Sequence, residues 1–571
     1  MKGKIVWLLV ACGVMAGFLG PSVAADKPQY GGELIIGWSR EPMQFDDCQA
    51  HPYWAPAFCL TNEDLSQGDW TKGPVGSGEA SWIHQIFPPP ALTTGCLAES
   101  WELSDPQTLV FHIRKGVLFH DKPPVNGREM TSDDVLFTLQ RIWDCPASHP
   151  GGSIPRKDYI ESITAPDKYT VVIRTLGPDK AGDVFEGAAM YTGIVPRDAV
   201  EKFGDLKDWK NSVGTGPFML RDYVSGSSVS FVKHPKYWME DPLNKGNRLP
   251  YVESMKWLII PDVATRLAAL RTGKVDVLSG GYSGNVGWED AEALMKTNPE
   301  LQHIGGLAPT PTGIFMRLDK PELPWHDKRV RRALALAIDN RTIGNSFFGG
   351  KYELVAWPVA PIPEQMDMYT AFEKLPASSR ELFEYNPEKA RQLLAEAGFA
   401  KGFSAEIVAM QSYVDMLSIV KDYWSKIGVD LKIDVREYGA WANVRVKRKH
   451  DQMLVCALNA AIPFYLSELA AGQLYNCSIV DDPKINQARK DIYANYFDYE
   501  KKSAIMREIN THVIDEAYVL QMPANYSYNF WQPWLKNYHG EIQVGCYGQF
   551  GNWVQYVWLD QDMRNKAKGK K

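Results

Sequence analysis

Asp327-Lys328-Arg329-Val330-Arg331-Arg332-Ala333-Leu334, continued to Ala337-Ile338-Asp339, has the period of a helix that starts after Asp327. Val330, Leu334, Ala337 and Ile338 fall three or four residues apart and make one apolar face. Downstream, Asn386-Pro387 opens another helix, which Gly398 closes. Val429, Leu431, Ile433 and Val435 then alternate with Asp430, Lys432, Asp434 and Arg436, the pattern of a strand with one buried face. Upstream, Thr131-Ser132-Asp133-Asp134 caps a helix whose Val135, Leu136, Leu139, Ile142 and Trp143 share a face. Leu34-Ile35-Ile36 after Gly31-Gly32, and Leu109, Phe111 and Ile113 in alternation, read as strands. Interleaved helices and strands without a tandem repeat predict a layered α/β protein. Residues 66–80, 146–157 and 279–287 are rich in Gly, Pro and Ser and read as loops, and the basic end from Arg564 to Lys571 reads as a frayed tail.

The chain of 571 residues has room for several domains or one large two-lobed body. Hydrophobic residues at 45% and charged residues at 23% exclude a disordered chain and a polytopic membrane protein. With 62 basic against 68 acidic residues the net charge is -6, so no basic excess exists to wrap nucleic acid. Residues 1–25 read as a secretory signal: Lys2 and Lys4, an apolar run from Ile5 to Leu19, then Ser22-Val23-Ala24-Ala25 for cleavage near Ala24 or Ala25. Gly13, Gly17, Gly20 and Pro21 interrupt a run too short for a membrane span. Removal of Lys2 and Lys4 leaves 60 basic against 68 acidic residues, or -8. The expected location is periplasmic, or, on a second reading of Leu9-Val10-Ala11-Cys12 as a lipobox, anchored through lipid on Cys12. Of the seven remaining cysteines, Cys48 with Cys59 and Cys456 with Cys477 are the closest pairs for bridging in an oxidising compartment. Neither a C-x-x-C pair nor a His cluster at ligand spacing is present, so no metal or cofactor is expected.

Catalytic signatures are also missing. Gly281-Tyr282-Ser283-Gly284-Asn285 begins like a nucleophile elbow but lacks its last Gly, and Gly214-Thr215-Gly216 runs into Pro217-Phe218 instead of a dinucleotide fingerprint. The expectation is a binder with no catalytic residues. Aromatic residues make up 12% of the chain, 19 Trp, 26 Tyr and 22 Phe. Most serve packing, whereas Trp38, Tyr282, Trp288, Trp357, Tyr438 and Trp441 stand in Gly-rich or polar stretches, where flat rings can line a cleft and shed water from a solute.

Several short stretches occur together in one order: Gly31-Gly32-Glu33-Leu34, Leu97 to Glu102, Phe111 to Val117 with Phe119-His120-Asp121, Thr131 to Leu139, Val213 to Phe218, Pro250 to Glu253, Gly273 to Asp276, Asp327 to Leu334, and Lys389 to Phe399. In that order, over roughly residues 30–540, the chain resembles the family 5 extracellular solute-binding proteins, the peptide- and nickel-type binding components of ABC importers. The resemblance implies a two-lobed class II (type C) periplasmic binding protein fold with an extra inserted subdomain. Lobe I would comprise 26–46, 196–306 and 530–560, the inserted subdomain 47–195, lobe II 307–529, and 561–571 a basic tail. The crossings near 306 and 530 would form the hinge, and a solute touching both lobes would shift an open–closed equilibrium. The implied partners are a small solute and an ABC permease with its ATPase. The protein would act as a monomer, reach the membrane through the permease only, and bind no nucleic acid.

In peptide-binding members a W-x-A-D pattern in the second lobe supplies an Asp for the peptide amine. The corresponding Val455-Cys456-Ala457-Leu458-Asn459 has neither Trp nor Asp, so Asn459 offers hydrogen bonds without charge. The resemblance also points to Tyr438 and Arg445 as ligand-facing and to Arg317 where many relatives carry Asn. Arg317 would fork a carboxylate or sugar hydroxyls, or make a surface ion pair. Arg445 stands in a charge run with Lys447, Arg448 and Lys449 that more simply reads as a solvated face. The ligand-binding residues expected are therefore Tyr282, Trp288, Arg317, Tyr438, Trp441, Arg445 and Asn459. A peptide or peptide-like solute is the family default, and an oligosaccharide or an aromatic or anionic solute is the alternative. A ligand sensor and a secreted hydrolase are the other classes.

Overall fold

Strand Glu33–Trp38 lies within an eight-stranded sheet and pairs in parallel with Ser254–Ile259 on one side and Val277–Leu278 on the other. This is a computed structural model, which describes residues 27–545 apart from 47, 49–56, 74–79, 81, 85–87, 279–285 and 461–464, and residues 552–569. The signal segment with Cys12, together with Tyr282 and Cys546, lies outside the described residues. From one edge the first sheet runs Gln302–Leu307, Ala524–Trp531, Val277–Leu278, Glu33–Trp38, Ser254–Ile259, Ser228–Lys233 and Phe218–Val224, with Tyr352–Glu353 added on Ala524–Trp531. A second sheet orders Val429–Val435, Phe403–Ala409, Met453–Ala457, Thr312–Met316 and Val519–Gln521. A third, of four antiparallel strands, is built from Ala98–Asp105, Thr108–Ile113, Thr170–Thr175 and Ile160–Asp167. The chain passes from the first sheet to the second between Leu307 and Thr312 and returns between Gln521 and Ala524, ahead of position 530.

The opening motif forms helix Lys328–Leu336, whose first turn is capped by Asp327 accepting from the Arg329 N–H at 2.8 Å. Its apolar face is buried, and Ala337 and Ile338 stay buried beyond the last turn. Its cations hold the end of helix Tyr499–Glu516. Lys328 bridges Asp515 and Glu516 at 2.7 Å each, Arg331 Nε donates to the Glu516 carbonyl at 2.9 Å, and Arg332 donates to the Asp515 carbonyl at 3.1 Å. Carbonyls of a last helical turn lack partners within the helix and carry partial negative charge, so cations satisfy them twice over.

Two other motifs meet in space. His120 accepts from the Gly214 N–H through Nδ1 at 3.2 Å, which leaves the proton on Nε2 to reach the Gly216 carbonyl at 3.0 Å. Side chains are excluded there, because a Cβ on Gly214 would lie 2.1 Å from the Thr61 carbonyl oxygen. Asp276, from Gly273-Lys274-Val275-Asp276, is buried and accepts from the Ile35 N–H, Trp534 Nε1 and Arg564, tying the first strand to the C-terminal stretch.

Several expectations need correction. Residues 561–569 form a helix in place of a frayed end, held by Arg564 on Asp276 and on the Glu33 carbonyl. Within 66–80 the chain forms strand Ser66–Gly68, and within 146–157 it forms helix His149–Ser153, because turn residues also cap short helices. Val435 is 45% exposed: its strand is an edge strand, and the far end leaves the packed face. Cys48 does not face Cys59. Its thiol meets that of Cys145, while Cys456 and Cys477 meet as expected. Mild oxidation followed by peptide mapping is expected to recover Cys48 linked to Cys145 and Cys456 linked to Cys477; a Cys48–Cys59 peptide would contradict this arrangement.

Candidate functional site

Strand Met453–Ala457 ends beside the first crossing, where the Leu458 N–H donates to the Pro311 carbonyl at 2.8 Å and the Ala460 N–H to the Pro309 carbonyl at 3.2 Å. Asn459 lies between these two anchors. Its backbone N–H and its Nδ2 both donate to Glu468 Oε1, at 3.1 and 3.0 Å, and Trp357 Nε1 donates to Glu468 Oε2 at 2.7 Å. Because Nδ2 is tied to the carboxylate, the Asn459 amide turns its Oδ1 away from Glu468 as an acceptor. Trp357, Gln365, Met368, Asn459, Tyr465 and Glu468 help to line a cavity of about 30 Å³, room for a water-sized group. On the side of the first sheet, His84 Nδ1 reaches Glu364 at 3.4 Å, with both side chains buried.

Glu468 is 4% exposed, and burial pushes its carboxyl up to about 7 against the hydrogen bonds from Trp357 and Asn459 and the nearby charge of Arg445. Arg445 is half-buried, with its Nε buried and its guanidinium over the rings of Trp441 and Tyr475 at 5.7 and 5.5 Å. The charge-run reading thus fails for Arg445: its place on helix Tyr438–Lys447 turns it inward, while Lys447 is exposed. A guanidinium and a carboxyl that keeps much of its proton near neutral pH stand behind the amide, a polar floor suited to orienting a solute by hydrogen bonds.

The other expected residues are dispersed. Trp441 is a core residue, its indole N–H donating to the Val455 carbonyl at 3.1 Å. Tyr438, at the start of the same helix, is 44% exposed. Arg317 forks Asp319 at 2.7 and 2.6 Å and donates to the carbonyls of Arg448 and His450, so its guanidinium secures the end of strand Thr312–Met316. Trp288 begins helix Trp288–Thr297 and donates to the Phe347 carbonyl at 3.3 Å, which joins an element next to the first sheet to one next to the second. Glu468 was missed by sequence reasoning: within Tyr465-Leu466-Ser467-Glu468-Leu469 nothing distinguishes it from a surface carboxylate. A larger open notch of about 580 Å³, rimmed by Arg114, Lys115, Lys236 and Arg248 beside Trp238, lies elsewhere.

Comparison with known proteins matches residues 93–464 to the model of bacterial extracellular solute-binding proteins, family 5. Heme-binding protein A of Haemophilus influenzae is 28% identical over 381 residues, covering 62% of this chain and 64% of that protein. The dipeptide-binding protein of Escherichia coli is 26% identical over 384 residues, covering 63% and 66%. The match therefore spans a little under two thirds of those relatives' own length. Among solved structures, the periplasmic binding protein DppA from Helicobacter pylori in complex with the peptide STSA aligns with a TM-score of 0.72 at 21% identity, covering 93% of this chain and 99% of that one. AgaA in complex with agropinic acid, from A. tumefaciens R10, aligns with a TM-score of 0.72 at 22% identity and the same coverage. The fold is thus that of two-lobed periplasmic binding proteins. No helix among the described residues is long and apolar enough to cross a membrane.

A carboxyl raised in the folded state keeps its proton where the unfolded chain has lost it, so its ionisation lowers stability as pH rises from 4.5 to about 7. Glu468→Gln removes that titration and keeps one acceptor oxygen, so either Trp357 or Asn459 loses its partner at a cost that does not vary with pH. Relative to the parent protein, the variant is expected to gain on the order of 3 kcal/mol between pH 4.5 and pH 8, read by denaturant unfolding. A pH-independent difference would show that Glu468 titrates normally.

Proposed function

As the chain belongs to the bacterial extracellular solute-binding proteins of family 5, we propose that it is the substrate-binding component of an ABC importer. It captures a peptide or peptide-like solute between its lobes and delivers it to a permease driven by an ATPase. The observation that supports this reading is the polar floor of Asn459, Glu468 and Trp357 beside the first crossing, where a solute contact would couple to lobe closure. Family members are binding proteins, and capture followed by closure requires hydrogen bonds and excluded water but no bond cleavage. Export, with residues 1–25 removed, and work in the periplasm as a monomer belong to the same reading.

One observation favours a second ligand class. By the resemblance, Asn459 stands where peptide-binding members carry an Asp, and the Arg445 charge beside a Glu468 carboxyl that keeps its proton up to about pH 7 supplies no negative charge for an ammonium. Of the similar structures, AgaA was solved with agropinic acid, so the fold also accommodates a solute that is not a plain peptide.

Native mass spectrometry of freshly purified mature protein, followed by denaturation and identification of the released molecule, tests the function. One solute per chain is expected, unchanged after prolonged incubation. A peptide mixture supports the first ligand class and a single acid or sugar the second, while steady release of cleaved fragments would overturn capture in favour of hydrolysis. Asn459→Ala is expected to weaken binding of the identified solute about tenfold, and to lower stability by about 1 kcal/mol because Glu468 Oε1 loses the hydrogen bond from Nδ2. Unchanged affinity would remove Asn459 from the site.

A further inference from the structure

Helix Ala181–Ala189 belongs to the segment that carries the third sheet, whereas helices Pro483–Ala494 and Tyr499–Glu516 belong to the chain between the two crossings. Where these helices meet, four charges are buried. Arg489 forks Asp183, Nη1 to Oδ2 at 3.0 Å and Nη2 to Oδ1 at 2.9 Å. One turn along, Glu186 accepts from the Tyr493 hydroxyl at 3.2 Å. Lys502 supplies the charge opposite Glu186, its Nζ lying 4.4, 5.2 and 5.4 Å from the ring centres of Tyr496, Tyr465 and Tyr499. Exposure is 2% for Asp183, 0% for Glu186, 8% for Arg489 and 2% for Lys502.

Apolar contact surrounds the charges. Phe185 packs against Phe497 at 5.2 Å and Tyr496 at 6.0 Å between ring centres. The approach is close: a Cβ on Gly182 would stand 2.5 Å from Cβ of Tyr496. Two acids from one body thus meet two bases from the other, and each has a counter-charge at hand only when the bodies touch in this register. Burying ions costs several kcal/mol each, and only good partners offset that penalty. Glu186 Oε1 and Arg489 Nε are buried without a hydrogen-bond partner, so the offset is incomplete.

We propose that Asp183, Glu186, Arg489 and Lys502 form an electroneutral latch that selects one closed register of the two bodies before solute binds at the Asn459 site. The latch goes beyond solute capture, since it sets the closed fraction and hence the affinity for any solute the closed form prefers. Deleting one charge leaves its partner buried and unpaired, which closure cannot tolerate. Deleting an opposite pair leaves apolar surface, which it can.

Small-angle scattering of the solute-free, full mature protein tests this. Arg489→Met and Asp183→Leu are each expected to raise the radius of gyration relative to the parent, and the Asp183→Leu/Arg489→Met double variant to restore it. Gly182→Val, which wedges the helices apart with all four charges present, is expected to open the protein as the single variants do. A radius unchanged in both single variants, or a double variant as open as they are, would overturn the latch. Loss of far-ultraviolet circular dichroism in the single variants would also overturn it, because the contact would then belong to one folding unit and not to two closing bodies.

Discussion

Two short crossings, at 308–311 and 522–523, carry the chain between the two large sheets, and the remaining architecture answers to that constraint. They lie side by side, because the strands leading through them, Gln302–Leu307 and Ala524–Trp531, pair antiparallel over six residues from Gln302↔Trp531 to Leu307↔Tyr526. A pair of adjacent links permits rotation about one axis and resists other displacements. Pro309 and Pro311 lack a backbone N–H to pair there, yet their carbonyls accept from Ala460 and Leu458. The residues flanking Asn459 are thereby fastened to the first crossing, so in the proposed reading a solute held there would be coupled to the angle between the bodies.

Buried charge recurs at three places, each time with partners that define a geometry. At Asp276 the carboxylate collects a strand N–H, an indole N–H and a guanidinium, and joins elements from both ends of the chain. At Glu468 a carboxyl orients an amide and an indole around a small cavity, with the charge of Arg445 nearby. Between helix Ala181–Ala189 and the helices of the second body, two acids face two bases. The first lies within a single body and serves permanence. The third lies between bodies, where the same desolvation penalty becomes selectivity for one relative orientation.

The proposed solute site differs from an enzyme's in what it asks of its residues. No nucleophile need be activated and no proton moved; acceptors must be presented and water excluded. An amide fixed by a carboxylate meets the first demand, and the rings of Trp357 and Tyr465 at the same cavity serve the second. Diversity among family ligands follows, because changing such a floor alters recognition without disturbing a mechanism.

Local order was legible from the chain itself: the strand at Leu34-Ile35-Ile36, the helix after Asp327 and the helix between Asn386-Pro387 and Gly398 depend on neighbours within a few residues, which sequence displays directly. The ordered motifs from Gly31 to Phe399 determined the family in the same way. Arg317 and Arg445 show where this ends. Both are arginines near charged neighbours; one pairs with Asp319 two residues away, and the other is drawn under rings and beside Glu468, 23 positions on. Cys48 turns to Cys145 and not to the nearer Cys59 for a like reason, and Glu468 gains its meaning only beside Asn459 and Trp357. Sequence by itself determined the elements and the family. Tertiary structure alone decided which polar side chains share a site, because the energy of a buried charge depends on partners that distant parts of the chain bring to it.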